Sequence, residues 1–291
     1  MSLKKHFMHA PLTVVAVGGV ALSLFCCGNG TNKAENDSVE ESFAVDSVGY
    51  VDSLRVGGCL ATCILAADYP VSGNEALVKN VRGWIAEKMS YSLVISPDPQ
   101  NSKVFDGIDD GKVLLDSVGT YLLNQAKVDF DDFENRDFDI SYEYIFCVYE
   151  AYKTDTYVTF SSNNYFYLGG AHGGTSVSDA VFSLKTGEQF GWNMFVADSL
   201  PALKEIIKND LMTEYFKSKD ADDFRDALLV NPDTLPLPSS SPYFLADGVH
   251  FVYQQYEIAP YAAGMPGCVV PYSRVMDMFT PAVKDLFTAG R

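Results

Sequence analysis

The stretch ISYEYIFCVYEAYKTDTYVTFSSNNYFYL, residues 140–168, decides the fold that this sequence predicts. Its two halves, 140–153 and 157–168, are dense in Tyr, Phe, Val and Ile, which favour strands, and a polar tripeptide at 154–156 separates them. The pattern therefore predicts two long strands that pair as an antiparallel hairpin.

Outward from this hairpin, extended and helical patterns are mixed without the regular alternation of a parallel α/β protein. The length also allows two closely packed subdomains. We therefore predict an α+β protein with a mainly antiparallel sheet and packed helices. Extended segments are expected at 46–70, 175–184, 249–256 and 268–272, and helices at 76–89, 113–126 and 199–216.

Local polar and glycine signals predict where several of these elements begin or turn. The polar segment 72–75 is expected to cap the first helix, and Ser199 is expected to cap the third. Gly57-Gly58 predicts a bend, and Asp247-Gly248 predicts a two-residue hairpin turn.

The composition bounds the function. The chain has 291 residues, 47% of them hydrophobic and 20% charged, so it can bury a large core. Its 21 Lys and Arg against 38 Asp and Glu give a formal net charge of −17 at pH 7. Because a surface this negative repels phosphate backbones, we expect no nucleic-acid partner.

Residues 1–27 are typical of a bacterial signal peptide. Basic residues at 4–6 precede the uncharged, mainly apolar segment 11–27, which is short for a membrane span. Its end resembles a lipobox, so residues 1–27 are expected to be a lipoprotein signal in which Cys27 carries the lipid. Cys26 as the lipidated residue and an uncleaved anchor are the alternatives.

The segment after the signal is predicted to be a flexible tether, residues 28–45. Its first part, 28–41, has no aromatic residue and one aliphatic residue beyond Ala, too little to offset the entropy of ordering it. We expect an extracytoplasmic protein at the outer membrane or cell surface, with its lipid as the one membrane contact.

Four cysteines follow, Cys59, Cys63, Cys147 and Cys268. The first two, four apart in an extended run, would stand roughly 13 Å apart, beyond the roughly 7 Å that a disulfide spans. Bridges from Cys147 to either one and buried free thiols are both open alternatives. Because histidines are few and scattered, no metal site and no cofactor are predicted.

The sequence GGAHGG, residues 169–174, predicts a bulged strand connection, where glycine permits positive φ or close backbone approach. It has neither the spacing nor the basic residue of a phosphate loop. We expect Gly170→Val to destabilise the fold by about 1 to 3 kcal/mol. His172 is either a hydrogen-bonded structural residue or a general base or ligand.

Two acidic features of the sequence bear on possible catalytic or metal-binding sites. Glu257 is a candidate catalytic acid because the aromatic segment 256–261 around it favours partial burial. No second carboxylate stands at a predictable separation from it, so a glycosidase pair is not predicted. In the acidic run 129–139, Phe133 takes the place of an EF-hand oxygen ligand, and a solvated loop is expected.

The loop 259–264 is a candidate binding element. Pro260 stiffens its backbone and lets it present Tyr261 at little ordering cost, as recognition hot spots require. Burial of Tyr261 as a core aromatic is the alternative. Tyr256 and His172 complete the predicted binding residues.

Several motifs resemble a pair of domain families, the PdaC-type DUF4163 and the RsiV-type DUF3298. The motifs DYPVSG (68–73) and YLGGAHGG (167–174) are followed by FSLKTGE (182–188), DGVHFVYQQYEIAPYAAG (247–264) and VPY (270–272). The resemblance implies a DUF4163-like domain at 46–174 and a DUF3298-like domain at 175–291.

The resemblance also implies a role in the cell envelope. Such domains occur in exported lipoproteins, beside a peptidoglycan deacetylase domain, and as the outer part of anti-sigma factors that bind lysozyme. We therefore expect a binding module for a lysozyme-like protein or a cell-wall glycan. The alternative is an envelope hydrolase that acts on glycan or peptidoglycan through His172 and Glu257.

Overall fold

The computed structural model describes residues 42–91, 105–132 and 139–288. The predicted signal peptide, both candidate lipidation cysteines and most of the predicted tether lie outside these residues. The first strand begins at Ala44, so the last two residues of the predicted tether belong to that strand.

Six strands form the larger sheet, in the order β1-β2-β3-β4-β5-β6. The predicted hairpin is confirmed as β3 and β4, which pair antiparallel, and β2 beside β3 is the one parallel neighbour in this sheet. The strands are β1 (Ala44–Val56), β2 (Cys59–Ser72), β3 (Ser141–Lys153), β4 (Tyr157–Leu168), β5 (Gly174–Ser183) and β6 (Gln189–Phe190).

Two helices, α1 (Glu75–Tyr91) and α2 (Gly111–Asp132), connect the parallel strands β2 and β3. The predicted cap of α1 is confirmed, because Asn74 Oδ1 accepts the backbone N–H groups of Ala76 at 2.9 Å and Leu77 at 3.3 Å.

The second helix is longer than predicted and takes in the start of the acidic run that was expected to be a loop. Phe130 explains the extension, because it is buried and its ring lies 4.8 Å from that of Tyr142 on β3. The apolar contact holds the last turn of α2 against the sheet. Residues 133–138 of the run lie outside the described residues.

Both helices cover one face of the sheet and form the first hydrophobic core with it. All four cysteines of the described chain are free thiols, which decides between the two alternatives left by the sequence. Burial raises the pKa of the Cys63 thiol to about 12.

The second sheet is antiparallel and small, with β7 (Tyr243–Leu245), β8 (Gly248–Val252) and β9 (Gly267–Val270). Around it lie α3 (Leu200–Asp210), continued by a π-helical turn (Leu211–Tyr215), α4 (Ala221–Asp226), α5 (Tyr272–Val275) and α6 (Pro281–Thr288). Together they form a second hydrophobic core.

Three local predictions in this region were wrong. Ser199 does not cap α3, because its hydroxyl donates to Val196 O at 2.6 Å. The hairpin turn is formed by Ala246 and Asp247, one residue earlier than expected. The strand predicted to reach Tyr256 ends at Val252, and Tyr256 itself has a positive φ of 65° that a strand does not accept.

The second core packs on the opposite face of the larger sheet, near one end of β4 and β5. Thr159 Oγ1 on β4 donates to Phe244 O at 2.7 Å, and the ring of Tyr157 lies 5.5 Å from that of Phe244. The chain is thus α+β with a mainly antiparallel sheet, as predicted.

The larger sheet continues through β5 and β6 to Phe190, beyond the domain boundary expected at 174/175. That boundary stays a prediction. None of the helices in the described ranges combines the length and apolar character that crossing a membrane requires.

Candidate functional site

The glycine-rich connection between β4 and β5 places His172 at the surface. Gly169 has a φ of +73°, and a Cβ there would stand 2.6 Å from Ile140 Cγ2. At Gly173 a Cβ would stand 2.3 Å from the ring of Tyr165. Gly169 therefore requires glycine because of its φ, whereas a side chain at Gly173 would have to displace the end of the Tyr165 ring.

The expectation for Gly170 was wrong about the position. Its φ lies outside the left-handed region, and the nearest atom to a Cβ built there is His172 O at 4.0 Å. A side chain at Gly170 thus meets neither backbone strain nor a clash, and the steric constraint lies at Gly169 and Gly173 instead.

The imidazole of His172 contacts two tyrosine side chains. It stacks on the ring of Tyr261, with centroids 3.9 Å apart and planes 23° apart, while Nε2 lies 3.3 Å from the hydroxyl of Tyr256. Its Nδ1 is 2.9 Å from the carbonyl oxygen of Gly173. The three rings of His172, Tyr256 and Tyr261 are called the aromatic corner below.

Tyr261 is not the core aromatic residue of the alternative prediction, and its role in binding stays a prediction. Its hydroxyl donates to Gly173 O at 3.1 Å, which fastens the short turn Tyr261–Ala263 to the glycine connection. The residue is half-buried, and neither the first nor the second core contains it. Pro260 beside it is exposed, so the predicted loop does lie at the surface.

Tyr256 is the most exposed ring of the aromatic corner, with 54% of its surface accessible. The positive φ of this residue turns the chain out of the strand direction and carries the ring toward His172. A non-glycine residue in this region of φ is uncommon and marks a conformation that its surroundings impose.

The aromatic corner continues onto the larger sheet. Burial raises the pKa of Tyr165 on β4, and the nearby Glu143, Tyr261 and Tyr167 contribute to the increase. The ring of Tyr165 also lies beside Gly173, whose carbonyl accepts from His172 and Tyr261, so Tyr165 joins the corner to the sheet. The sequence did not single it out, although its place in the aromatic triplet YFY at 165–167 was a signal.

The carboxylate of Glu257 accepts two hydrogen bonds from the backbone. Its two carboxylate oxygens accept the backbone N–H groups of Ser239 and Gln254, both at 2.7 Å. This binds the turn at 254–257 to the loop before β7. Within the described part of the chain, no hydrogen bond joins Glu257 to His172.

A buried carboxyl elsewhere was missed by the sequence analysis. Asp179 on β5 is 6% exposed and accepts a hydrogen bond from the hydroxyl of Ser161 on β4. Burial raises the pKa of Asp179 from 3.8 to about 7. A lone Asp in the apolar-ended strand run VSDAVF, 177–182, was the available signal.

The described ranges contain no group of three or more His, Cys, Asp or Glu side chains that could hold a metal ion. The site residues in these ranges are thus aromatic rings, hydroxyls, amides and single carboxyls, a set that suits hydrogen bonding and ring contacts.

Comparison with known proteins supports the DUF3298 part of the resemblance. Residues 193–273 match a family described as a protein of unknown function, DUF3298. This match covers β7, β8, β9 and the loop that carries Tyr261. Among curated proteins, none matches the chain.

Two crystal structures share the fold. One, a member of the DUF3298 family from Bacteroides fragilis, is 19% identical, with a TM-score of 0.61, over 86% of this chain and 99% of its own. The other, a DUF3298 family protein from Pseudomonas aeruginosa, is 12% identical, with a TM-score of 0.54, over 82% of this chain and 96% of its own. At these identities the likeness is one of fold.

Proposed function

We propose that this protein is an exported, lipid-anchored binding module of the bacterial cell envelope. Its ligand is a lysozyme-like protein or a cell-wall glycan, and the aromatic corner is the contact surface. The observation that carries the proposal is the exposed Tyr256 ring, held against a His172 ring that is itself stacked on Tyr261.

The aromatic corner is built to be rigid before a ligand arrives. Its rings come from two separate chain segments, and hydrogen bonds from His172 and Tyr261 to the same Gly173 carbonyl join them. Fixed aromatic side chains lose little conformational entropy on binding and are frequent energetic hot spots.

Charge and ring chemistry support the two ligand classes in different ways. The net charge of −17 favours a basic protein, because long-range attraction increases the rate of encounter. Exposed aromatic faces favour a sugar ring, which presents apolar C–H groups to them. A direct comparison of the two ligands separates these possibilities.

The hydrolase alternative stays a prediction. It requires His172 and Glu257 to act on one substrate, whereas Glu257 is bound by two backbone amides and makes no hydrogen bond to His172 in the described residues. No other observation on the described site favours it.

The binding test compares two exposed tyrosines. The mature chain is titrated with a lysozyme and, separately, with sonicated peptidoglycan, using wild type, Tyr256→Ala and Tyr149→Ala. Tyr149 is the matched control because it is also exposed and lies on β3.

We expect Tyr256→Ala to weaken binding of one probe by about 30-fold, or about 2 kcal/mol, as at a hot spot. Tyr149→Ala should bind like wild type. If wild type binds neither probe, or if both variants bind like wild type, the proposed function is wrong.

Export and lipid attachment rest on residues 1–27 and are part of the same proposal, as is a DUF4163-like domain at 46–174. Cys27→Ser should block lipid attachment and release or misprocess the protein, whereas Cys26→Ser should not. Fractionation with metabolic labelling by a radioactive fatty acid measures this. Normal labelling of the Cys27 variant would contradict the assignment.

A further inference from the structure

A polar cleft of about 450 Å³ lies along the outer edge of β5. The end of α1, with Trp84 and Lys88, forms one wall, and Ser239, Ser240 and Ser241 belong to the other. The strand segment 175–179 lies along its floor. None of the aromatic corner residues lines it.

The edge of β5 is only partly covered by backbone. The neighbouring strand β6 pairs with Val181 and Phe182 and with no earlier residue of β5. The preceding edge positions therefore depend on side chains for their hydrogen bonds.

Two glutamine side chains take the place of a neighbouring strand at these positions. Gln254 Oε1 accepts the Val177 N–H at 3.1 Å, and Gln254 Nε2 donates to the Val177 carbonyl at 2.8 Å. Gln255 Oε1 accepts the Thr175 N–H at 3.0 Å. The edge thus binds the primary amides of both side chains. Gln254 makes the same two hydrogen bonds to Val177 that a residue of a neighbouring strand would make.

Between these glutamines and β6, the backbone of Asp179 faces the cleft. Because outward-pointing positions alternate along a strand, Asp179 shares the edge with Val177 and Val181. Its N–H and C=O form no hydrogen bond on this edge in the described residues. The Asp179 N–H is therefore an available donor and the Asp179 C=O an available acceptor. The serine hydroxyls in the wall of the cleft offer further hydrogen-bond partners.

The side chain of Asp179 is buried, and its protonation is compatible with an uncharged ligand. It is 6% exposed and bonded through one oxygen to Ser161, and burial raises its pKa to about 7. Near neutral pH it is therefore neutral for much of the time and does not require a cationic ligand. At the rim, Glu87 lies 2.9 Å from Lys88 Nζ, so these two opposite charges form an ion pair and favour neither an anion nor a cation.

We propose that this cleft binds a small uncharged ligand through a primary amide, whose carbonyl accepts from Asp179 N–H while its amino group donates to Asp179 C=O, as the side chain of Gln254 does at Val177. The amide is a carboxamide such as the side chain of Asn or Gln in a peptide. The lining of this cleft contains none of the three residues of the aromatic corner. This proposal can therefore be right or wrong independently of the proposed function.

The test uses the full chain, purified in detergent and labelled with ¹⁵N, in backbone-amide NMR titrations. The probes are acetamide, N-methylacetamide as its counterpart whose N–H points away from the carbonyl, and glucose as a counterpart without an amide. We expect saturable shifts at Val177 and Asp179 with a dissociation constant of about 1 mM, typical of two hydrogen bonds on a fragment-sized ligand.

The pattern of responses tests the hydrogen-bond geometry. Saturable shifts with acetamide that exceed those with N-methylacetamide and with glucose support the proposal. Shifts of equal size with either control, shifts confined to His172 and Tyr256, or no saturable shift with acetamide overturn it.

A cleft-filling variant checks the position of the ligand. Ser178 lines the cleft, and Ser178→Tyr should weaken binding at least tenfold, whereas Ser53→Tyr on the distant strand β1 should not. Unchanged binding to folded Ser178→Tyr contradicts the proposal. If that variant does not fold, the wild-type shift pattern alone decides.

Discussion

The two faces of the larger sheet are covered to different extents. On the face under α1 and α2, alternate residues of the sheet such as Cys63, Leu65 and Phe146 are 0 to 1% exposed. On the other face, Ile64 and Ile145 are each 37% exposed, although they neighbour these residues in the chain. Among the described residues, the second core covers one end of this face, at β4, β5 and the end of β3.

This difference shows why β-rich sequence alone does not indicate which residues hold the fold. Ile145 and Phe146 are both strand-forming residues, and the pleat assigns one to each face. The contribution of a side chain to stability therefore depends on what packs against its face of the sheet, and not on the strand-forming tendency of the residue.

The largest expected effect comes from comparing these two neighbours. Phe146→Ala should lower the free energy of unfolding by about 3 to 5 kcal/mol because it leaves a cavity in the first core. Ile145→Ala should lower it by about 1 kcal/mol or less, since the side chain is already partly in water. Urea denaturation measures both, and equal effects would show that the second face is covered too.

The covered end of the second face can be tested through Asp179. Its pKa in the folded protein, about 7, is above the ordinary 3.8, so the folded state binds a proton that the unfolded state has lost. The contribution of Asp179 to the free energy of unfolding is therefore most favourable below about pH 4 and declines as the pH rises to about 7, by at most about 4 kcal/mol.

Asp179→Asn should remove this decline, and the difference in unfolding free energy between variant and wild type should grow from pH 4 to pH 7. The exposed Asp285→Asn on α6 is the control and should follow wild type. If Asp179→Asn follows wild type as well, water reaches the carboxyl and this end of the face is not closed.

The glycine connection allows a comparison of two adjacent residues. Gly169→Val should destabilise by about 1 to 3 kcal/mol, because valine resists a φ of +73° and its side chain meets Ile140. Gly170→Val should change the unfolding free energy by less than about 0.5 kcal/mol. A thermal melt of both variants checks this, and the reverse order would contradict the described geometry.

The smallest expected effect concerns the helices that cover the two faces. Asn74→Ala should lower stability by about 1 kcal/mol, because its side chain satisfies two amides at the start of α1. Ser199→Ala at the start of α3 should have less than half that effect, since its hydroxyl caps no helix amide. Comparable losses in urea titrations would mean that Ser199 does act as a cap.

Strand-forming patterns and turns were sufficient to predict the hairpin at 140–168, the first helix and the α+β class, because these depend on neighbours in the chain. The parallel pairing of β2 with β3 was not predicted, since no local signal sets which distant strand lies beside another. The extension of α2 to Asp132 depends on Phe130 meeting Tyr142, a contact made in three dimensions.

For the candidate site, the sequence predicted His172, Tyr256, Pro260 and Tyr261 as binding residues, and the structure brings three of their rings together. Whether they bind a ligand stays a prediction. The edge role of Gln254 could not be predicted, because it requires knowing that β6 leaves the middle of β5 without a backbone partner.

The parallel pairing of β2 with β3 also affects the order in which the chain folds. Leu60 on β2 pairs with Ser141 on β3, so this contact closes a long loop that contains both covering helices. Because loop closure is entropically unfavourable and non-local pairing slows folding, we expect the β2–β3 contact to form late. The hairpins β1–β2 and β3–β4 are local and form first, so the seam between them sets the folding rate.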